Sequence, residues 1–253
     1  MGNRFEIDSQ DDGSMRINKY LSAAGVMSRR EADRMLDEGR IRINGYTASK
    51  GDRVYPEDMV LFDGKKISAE RDRVILLFNK PKGIVCTSFK GDKNNIIDYI
   101  NYPRRVYNVG RLDKESRGLI LLTNMGELVN PLSKAGNYHE KEYVVRVDHG
   151  ITPEFIEHMR NGIYLEELDA TTRKCQVIKT DYNEFNIVLT QGLNRQIRRM
   201  CNAEGYHVHD LKRIRIMNLM LDDISEGKYR KITPAEEKKL FSELNIDQNM
   251  KYW

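Results

Sequence analysis

The stretch that most constrains this chain is Asn108-Val109-Gly110-Arg111-Leu112-Asp113-Lys114-Glu115-Ser116-Arg117-Gly118-Leu119-Ile120-Leu121-Leu122-Thr123-Asn124. A polar, glycine-bearing turn runs straight into four apolar residues, and the run stops at Thr-Asn. An apolar run this short fits a buried strand better than a helix. Asp113 therefore stands in a turn directly ahead of core structure. There a carboxylate can be held rigidly and still face a cleft. On residue type alone, an Asp followed by Ser and Gly marks a turn or an Asx cap, so the turn reading and the chemical reading both stand.

The 253 residues suffice for one large domain or two unequal ones. Hydrophobic residues make up 40% and charged residues 32%, which suits a globular chain with a polar surface. No apolar run approaches the ~20 residues of a membrane span, and Met1 to Ser14 lacks an apolar signal core. Residues 1–14 read as a disordered tail, and the chain as cytoplasmic. Net charge is only +4, but Asn194 to Arg215 alone carries six Lys/Arg against two acids, again +4. Such clustering can build a phosphate-facing surface. Cys86, Cys175 and Cys201 are an odd, widely spaced set, read as buried thiols rather than a disulfide or metal framework. His207 and His209 could share a strand face, but no third ligand is in view.

Taken in order, Ile17, Tyr20, Leu21 and Ala24 recur at helical spacing, and Gly25 ends that helix. Ser28-Arg29-Arg30-Glu31 reads as a capping box opening a second helix that stops at Gly39. Arg29, Arg30 and Arg34 lie in its first two turns. Ile41-Arg42-Ile43-Asn44-Gly45 alternates into an Asn-Gly hairpin turn. A strand at Met59–Phe62 completes a small module. Residues 69–73 are a charged break read as a linker. A new core then begins with the strand Val74–Phe78, a turn at Asn79–Gly83, and a strand at Ile84–Thr87. Later come strands at 143–147, 174–179 and 185–190, helices from Thr152 and Arg195, and a basic extended run from Val208 to Met220. Thr233-Pro234-Ala235-Glu236 opens a C-terminal helix. Strands and helices alternate without regular βαβ spacing, which predicts an α+β fold with a mixed, mainly antiparallel sheet.

Two further stretches bear on Asp113. In Lys141-Glu142-Tyr143, the tyrosine reads on its own as a half-buried strand residue. In Gln191-Gly192-Leu193-Asn194-Arg195-Gln196-Ile197-Arg198-Arg199-Met200, Arg195 sits three residues from Arg198 and four from Arg199. Spacing does not decide which of the three arginines faces a cleft.

The string Gly-Arg-Leu-Asp-x-x-Ser-x-Gly-Leu-x-Leu-Leu-Thr-Asn resembles the catalytic motif of bacterial ribosomal pseudouridine synthases, the RsuA/RluB/RluE/RluF family. Ala135 to Tyr143 and Gly192 to Gln196 look most like its RluF branch, although this sequence lacks a long basic C-terminal tail. The resemblance implies an RNA pseudouridine synthase with Asp113 as catalytic carboxylate, Arg198 as its basic partner and Tyr143 packed against the target base. Arg111, Leu112, Lys141, Asn194, Arg195, Gln196 and Arg199 would contact the RNA. Residues 15–70 resemble an S4 RNA-binding module, which would add Arg16, Lys19, Arg29, Arg30, Arg34 and Asn44. Residues 73–244 would form the catalytic domain and 245–253 a short tail. Isomerising uridine adds no group and transfers no net electron, so neither cofactor nor metal is expected. The expected partner is a large-subunit ribosomal RNA hairpin met by a monomer, with tyrosine transfer RNA open as a second substrate. Rival readings are an RNA-binding assembly factor, a synthase acting chiefly on transfer RNA, and a glycoside-cleaving enzyme using Glu115 as a second carboxylate.

Overall fold

The computed structural model describes residues 13–68, 72–89, 91–133 and 135–247. Most of the expected N-terminal tail, the centre of the expected linker and residues 248–253 lie outside them. The chain divides between Asp72 and Arg73 into two compact units.

The first unit packs helices Ile17–Ala23 and Arg29–Asp37 with a four-stranded sheet in the order Tyr46–Thr47, Ile41–Ile43, Val60–Phe62, Lys65–Ile67. Its core joins Ile17, Leu21, Ala32, Met35, Ile41 and Val60. The Asn44-Gly45 turn forms because both residues take positive φ, 51° and 88°, which matches the twist of a two-residue hairpin. Ser28 caps the second helix, its Oγ accepting the Glu31 N–H at 3.1 Å. Glu31 does not complete the expected box: its carboxylate is taken by Arg34 one turn on.

The second unit is built on a nine-stranded sheet whose main path runs Gln176–Asp181, Glu184–Leu189, Lys141–Val147, Val208–Ile216, Arg117–Thr123, Ile75–Lys80, Tyr229–Lys231. Tyr107–Val109 pairs with the Arg117–Thr123 strand, and Leu219–Met220 with Val208–Ile216. Every pairing is antiparallel except that of Val208–Ile216 with Arg117–Thr123, so the fold is α+β with a mixed, mainly antiparallel sheet. Helices Pro153–Asn161 and Gln196–Ala203 supply Phe155, Met159, Ile197 and Met200 to a core shared with Leu76, Phe78, Ile120, Val145 and Ile187. No helix among the described residues is long and apolar enough to cross a membrane.

The parallel pairing joins two antiparallel half-sheets, and Gly118 makes it possible. Its φ is +103°, and a Cβ there would stand 2.3 Å from the Arg213 carbonyl oxygen. No side chain fits a backbone approach that close.

Ile84–Thr87 is not the strand the sequence predicted. Only Val85 bridges, to Asn95, and its N–H and C=O close the Asn94–Ile96 loop instead. The Ile84 carbonyl is taken at 2.9 Å by the buried Lys80 ammonium, so this group and both backbone groups of Val85 are spent locally rather than on a neighbouring strand.

Candidate active site

Backbone bonds fix the Asp113 loop at nearly every step. Asn108 Nδ2 donates to the Gly110 carbonyl at 2.6 Å, and Gly110 itself takes φ +70°. The Leu112 N–H reaches Cys86 Sγ at 3.3 Å. Gly83 N–H donates to the Lys114 carbonyl at 2.8 Å, and Ser116 N–H to the Asp113 carbonyl at 3.1 Å. The Asp113 side chain stays half-buried at the start of the central strand.

Beside it lies a cleft of about 500 Å³ walled by Lys82, Gly83, Lys114, Glu115, Arg198 and His209. Arg198 is the arginine turned inward. It is 9% exposed and donates to the carbonyls of Val208 at 3.1 Å and Glu115 at 3.4 Å, and to Ser116 Oγ at 3.4 Å. Its Nε is buried and has no partner among the described residues. Arg198 thus grips the backbone just after Asp113 rather than the carboxylate itself, so the expected ion pair is absent from this geometry. Arg195, exposed and in the left-handed region at φ 50°, pairs with Glu115 at 3.3 Å. Arg199 is half-buried and bonds the Asn194 carbonyl at 3.0 Å and the Asn194 side-chain oxygen at 3.1 Å. It also meets Glu167.

Several expected RNA contacts are occupied within the protein. Gln196 is buried; its side-chain oxygen accepts the Leu193 N–H at 3.1 Å. Asn194 is engaged by Arg199, as above. Leu112 packs into the core. Asn44 spends both ends of its amide, donating to Asp58 at 2.7 Å and accepting from Met59 N–H at 2.9 Å. Arg34 is exposed but paired with Glu31 and Glu38. Arg16, Arg29, Arg30 and Arg111 are exposed, and Lys19 is half-buried. Tyr143 is 9% exposed and belongs to the core cluster, with the Arg213 guanidinium 6.0 Å from its ring centroid.

Lys80, Lys82 and Asp210 near the loop were not singled out from the sequence, whereas Lys141, expected at the RNA, is held within the protein. Lys80 is fully buried, its ammonium bonded to the carbonyls of Pro81 at 2.8 Å and Ile84 at 2.9 Å. Burial pushes its pKa down, opposed by the nearby Cys86 and Asp113. Burial likewise pushes the Cys86 thiol up. Asp210 is clamped by Arg117 at 3.0 and 2.6 Å and by Lys82 at 2.7 Å. Burial works to raise this carboxyl, but those hydrogen bonds outweigh it and hold it at about 2. Lys141 donates to the His139 carbonyl at 3.1 Å. Burial and then the Arg213 charge press it down to about 8. The sequence alone ends the strand from Val74 at Phe78 and places Lys80 in a turn; the strand runs Ile75–Lys80, and its alternation sets residue 80 on the face of Leu76 and Phe78.

Residues 74–203 match the family model described as RNA pseudouridylate synthase, and residues 15–60 match the S4 domain. The chain belongs to the RNA pseudouridylate synthase family. It is 49% identical over 232 residues to "Dual-specificity RNA pseudouridine synthase RluF" of Escherichia coli (strain K12), covering 91% of this chain and 79% of that protein. It is 35% identical to "Ribosomal large subunit pseudouridine synthase B" of Bacillus subtilis (strain 168), over 89% of this chain and 95% of that one. A solved structure titled "Crystal structure of pseudouridylate synthase" superposes with a TM-score of 0.66 at 26% identity, covering 89% of this chain and 99% of the other. The synthase match spans Asp113, Tyr143 and Arg198 and ends before the Val208–Ile216 strand. An S4 unit followed by a synthase unit is the family arrangement the sequence predicted.

Proposed function

We propose that this synthase converts one uridine of large-subunit ribosomal RNA to pseudouridine, with Asp113 as the reacting carboxylate. The observation that carries the reading is the setting of Asp113: a half-buried acid on a backbone-locked loop, at the junction of the two half-sheets and beside a cationic cleft. Similarity to large-subunit synthase B directs the substrate toward ribosomal RNA, and the dual specificity named for RluF leaves room for a second RNA, with transfer RNA as the candidate. In the reaction the bond from C1′ to N1 breaks, the uracil turns, and C5 bonds to C1′. C5 gives up its proton and N1 gains one, so nothing is added or oxidised. Asp113 serves as nucleophile at the sugar or as base.

Arg198 supports this step through the chain, by holding the Glu115 carbonyl and the Ser116 hydroxyl just after the aspartate. A base must leave its stack to meet the carboxylate, and an aromatic face can replace part of the lost stacking. Tyr143 is assigned that role, and its small exposed fraction means that the ring must be uncovered further as the base enters. Arg111, Arg195 and, in the S4 unit, Arg16, Lys19, Arg29 and Arg30 are assigned to the RNA backbone. The enzyme works in the cytoplasm as a monomer.

The test is pseudouridine mapping of ribosomal and transfer RNA from cells with the intact gene, without it, and with Asp113→Asn. Sites lost in both altered strains name the substrate. A full set of sites in the Asp113→Asn strain removes the catalytic assignment.

A further inference from the structure

One row of directly paired residues crosses the sheet: Lys80 with Gly118, Gly118 with Arg213, Arg213 with Tyr143, and Tyr143 with Ile187. Paired residues on neighbouring strands project to the same face. Lys80, Arg213 and Tyr143 therefore share the face on which Tyr143 meets the core. We propose that Arg213 is a positioning residue for the isomerisation, locking the Tyr143 ring to the strand that leaves the Asp113 loop. The inference rests on the roles given to Asp113 and Tyr143 above.

Arg213 is 3% exposed. Its Nε donates to the Leu119 carbonyl at 2.6 Å, one residue beyond Gly118 on the central strand. Its Cζ lies 6.0 Å from the Tyr143 ring centroid. One guanidinium thus bonds the strand that follows the Asp113 loop and lies within cation–π reach of the ring assigned to the base. The bare Gly118 backbone lets the two strands close to that distance.

Stability does not account for this arginine. Among the described residues no carboxylate pairs with it, and its Nη2 is buried without a partner. Its charge presses on two further cations of the same region, Lys80 and Lys141. A buried charge with like neighbours and no bonded acid costs folding energy, and a well-packed apolar replacement of similar volume is often neutral or stabilising. A side chain of this cost, set between two reacting elements, points to geometry rather than to fold maintenance.

The test uses the full chain and an unmodified transcript of large-subunit ribosomal RNA. Single-turnover conversion, RNA affinity and thermal melting are measured for Arg213→Met, Arg213→Lys, Tyr143→Leu and Arg213→Met with Tyr143→Leu. Arg213→Met is expected to slow conversion about 100-fold, the scale of a small misplacement. RNA affinity should stay within about twofold, and the melting temperature should hold or rise. Arg213→Lys keeps the charge but loses the planar fork and should recover less than about tenfold of the loss. On the Tyr143→Leu background, Arg213→Met should add less than about twofold, because the two act as a unit.

Affinity falling in step with rate would make Arg213 an RNA contact and overturn the proposal. So would fully multiplicative losses in the double variant, or a lower melting temperature with the rate retained. If Arg213→Met does not fold, the same cycle is run with Arg213→Lys. Wild-type rates in Asp113→Asn and Tyr143→Leu would instead sink the underlying assignment. Loss of rate in those two but not in Arg213→Met would sink this inference alone.

Discussion

Asp113 is held by its backbone and left open at its carboxylate. Apart from Ser116 N–H on the Asp113 carbonyl, the bonds that fix the loop, from Leu112 N–H on Cys86 to Arg198 on Glu115, are made by neighbours of the acid. Replacing it by Asn changes no packing, so Asp113→Asn should fold as the wild type does while conversion falls at least about 1000-fold; single-turnover assays beside thermal melts check both halves. Lys141 supplies a pH-dependent case. Its pKa lies at about 8 in the folded chain against 10.5 ordinarily. The unfolded chain therefore binds more protons between those values, and stability rises with pH across that window. Below about pH 8 both states are charged and the folded state carries the burial cost in full. Lys141→Met should stabilise the protein by roughly 1–3 kcal/mol at pH 7, and urea unfolding at pH 7 and pH 9.5 should show that gain shrinking. At this scale the sequence named Asp113 because motif and turn chemistry are local. It missed Arg213 and Lys80 because their meaning comes from strands that only the folded sheet brings side by side.

Among elements, the parallel junction is the least tolerant. A Cβ at Gly118 would press 2.3 Å from the Arg213 carbonyl oxygen and 2.7 Å from its nitrogen, both backbone atoms that cannot swing away. Gly118→Ala is therefore expected to cost more than about 4 kcal/mol, seen as loss of soluble folded protein or a collapsed melting temperature. The C-terminal helix behaves more gently. Thr233 and Glu236 form a complete capping box on Pro234–Glu243, and Glu236 also takes a two-pronged bond from Arg230 at 2.7 and 2.8 Å. Thr233→Ala should cost about 1 kcal/mol in denaturant unfolding. Arg230 holds the Glu236 carboxyl down at about 2 despite burial, and Asp210 also sits at about 2. Both are depressed below their unfolded values, so the stability they add is complete above about pH 4.5 and is lost as pH falls toward 2. An acid titration of unfolding should lose part of that slope in Glu236→Gln.

The hairpin at Asn44-Gly45 and the short buried strands were legible because their signals lie within a few residues. The strand predicted at Ile84–Thr87 was not, since a lysine four residues upstream claims the Ile84 carbonyl. The edge strand Tyr229–Lys231, polar and only three residues long, carries no alternation to read.

For the molecule as a whole, the assigned contacts are mostly to phosphates, so RNA affinity should fall steeply with salt. Arg29→Ala with Arg30→Ala in the S4 unit should flatten the slope of log affinity against log salt by about 1–2; filter binding across a salt series measures it, and an unchanged slope would remove those arginines from the RNA surface. The α+β class and the two-unit order followed from the kinds and order of elements along the chain. How the half-sheets join did not, because the joining strands are far apart in sequence: Arg213 reaches Leu119 across 94 residues. That separation also sets a schedule. At roughly 5–20 residues per second of synthesis, Asp113 emerges several seconds before the strand that seats it. Until Val208–Ile216 has cleared the exit tunnel, the half carrying Asp113 exists without its neighbour, so a nascent chain holds the acid but not the site. Activity then begins only once that strand has emerged, and a truncation ending before Val208 should leave a stalled, inactive half-sheet with an open edge.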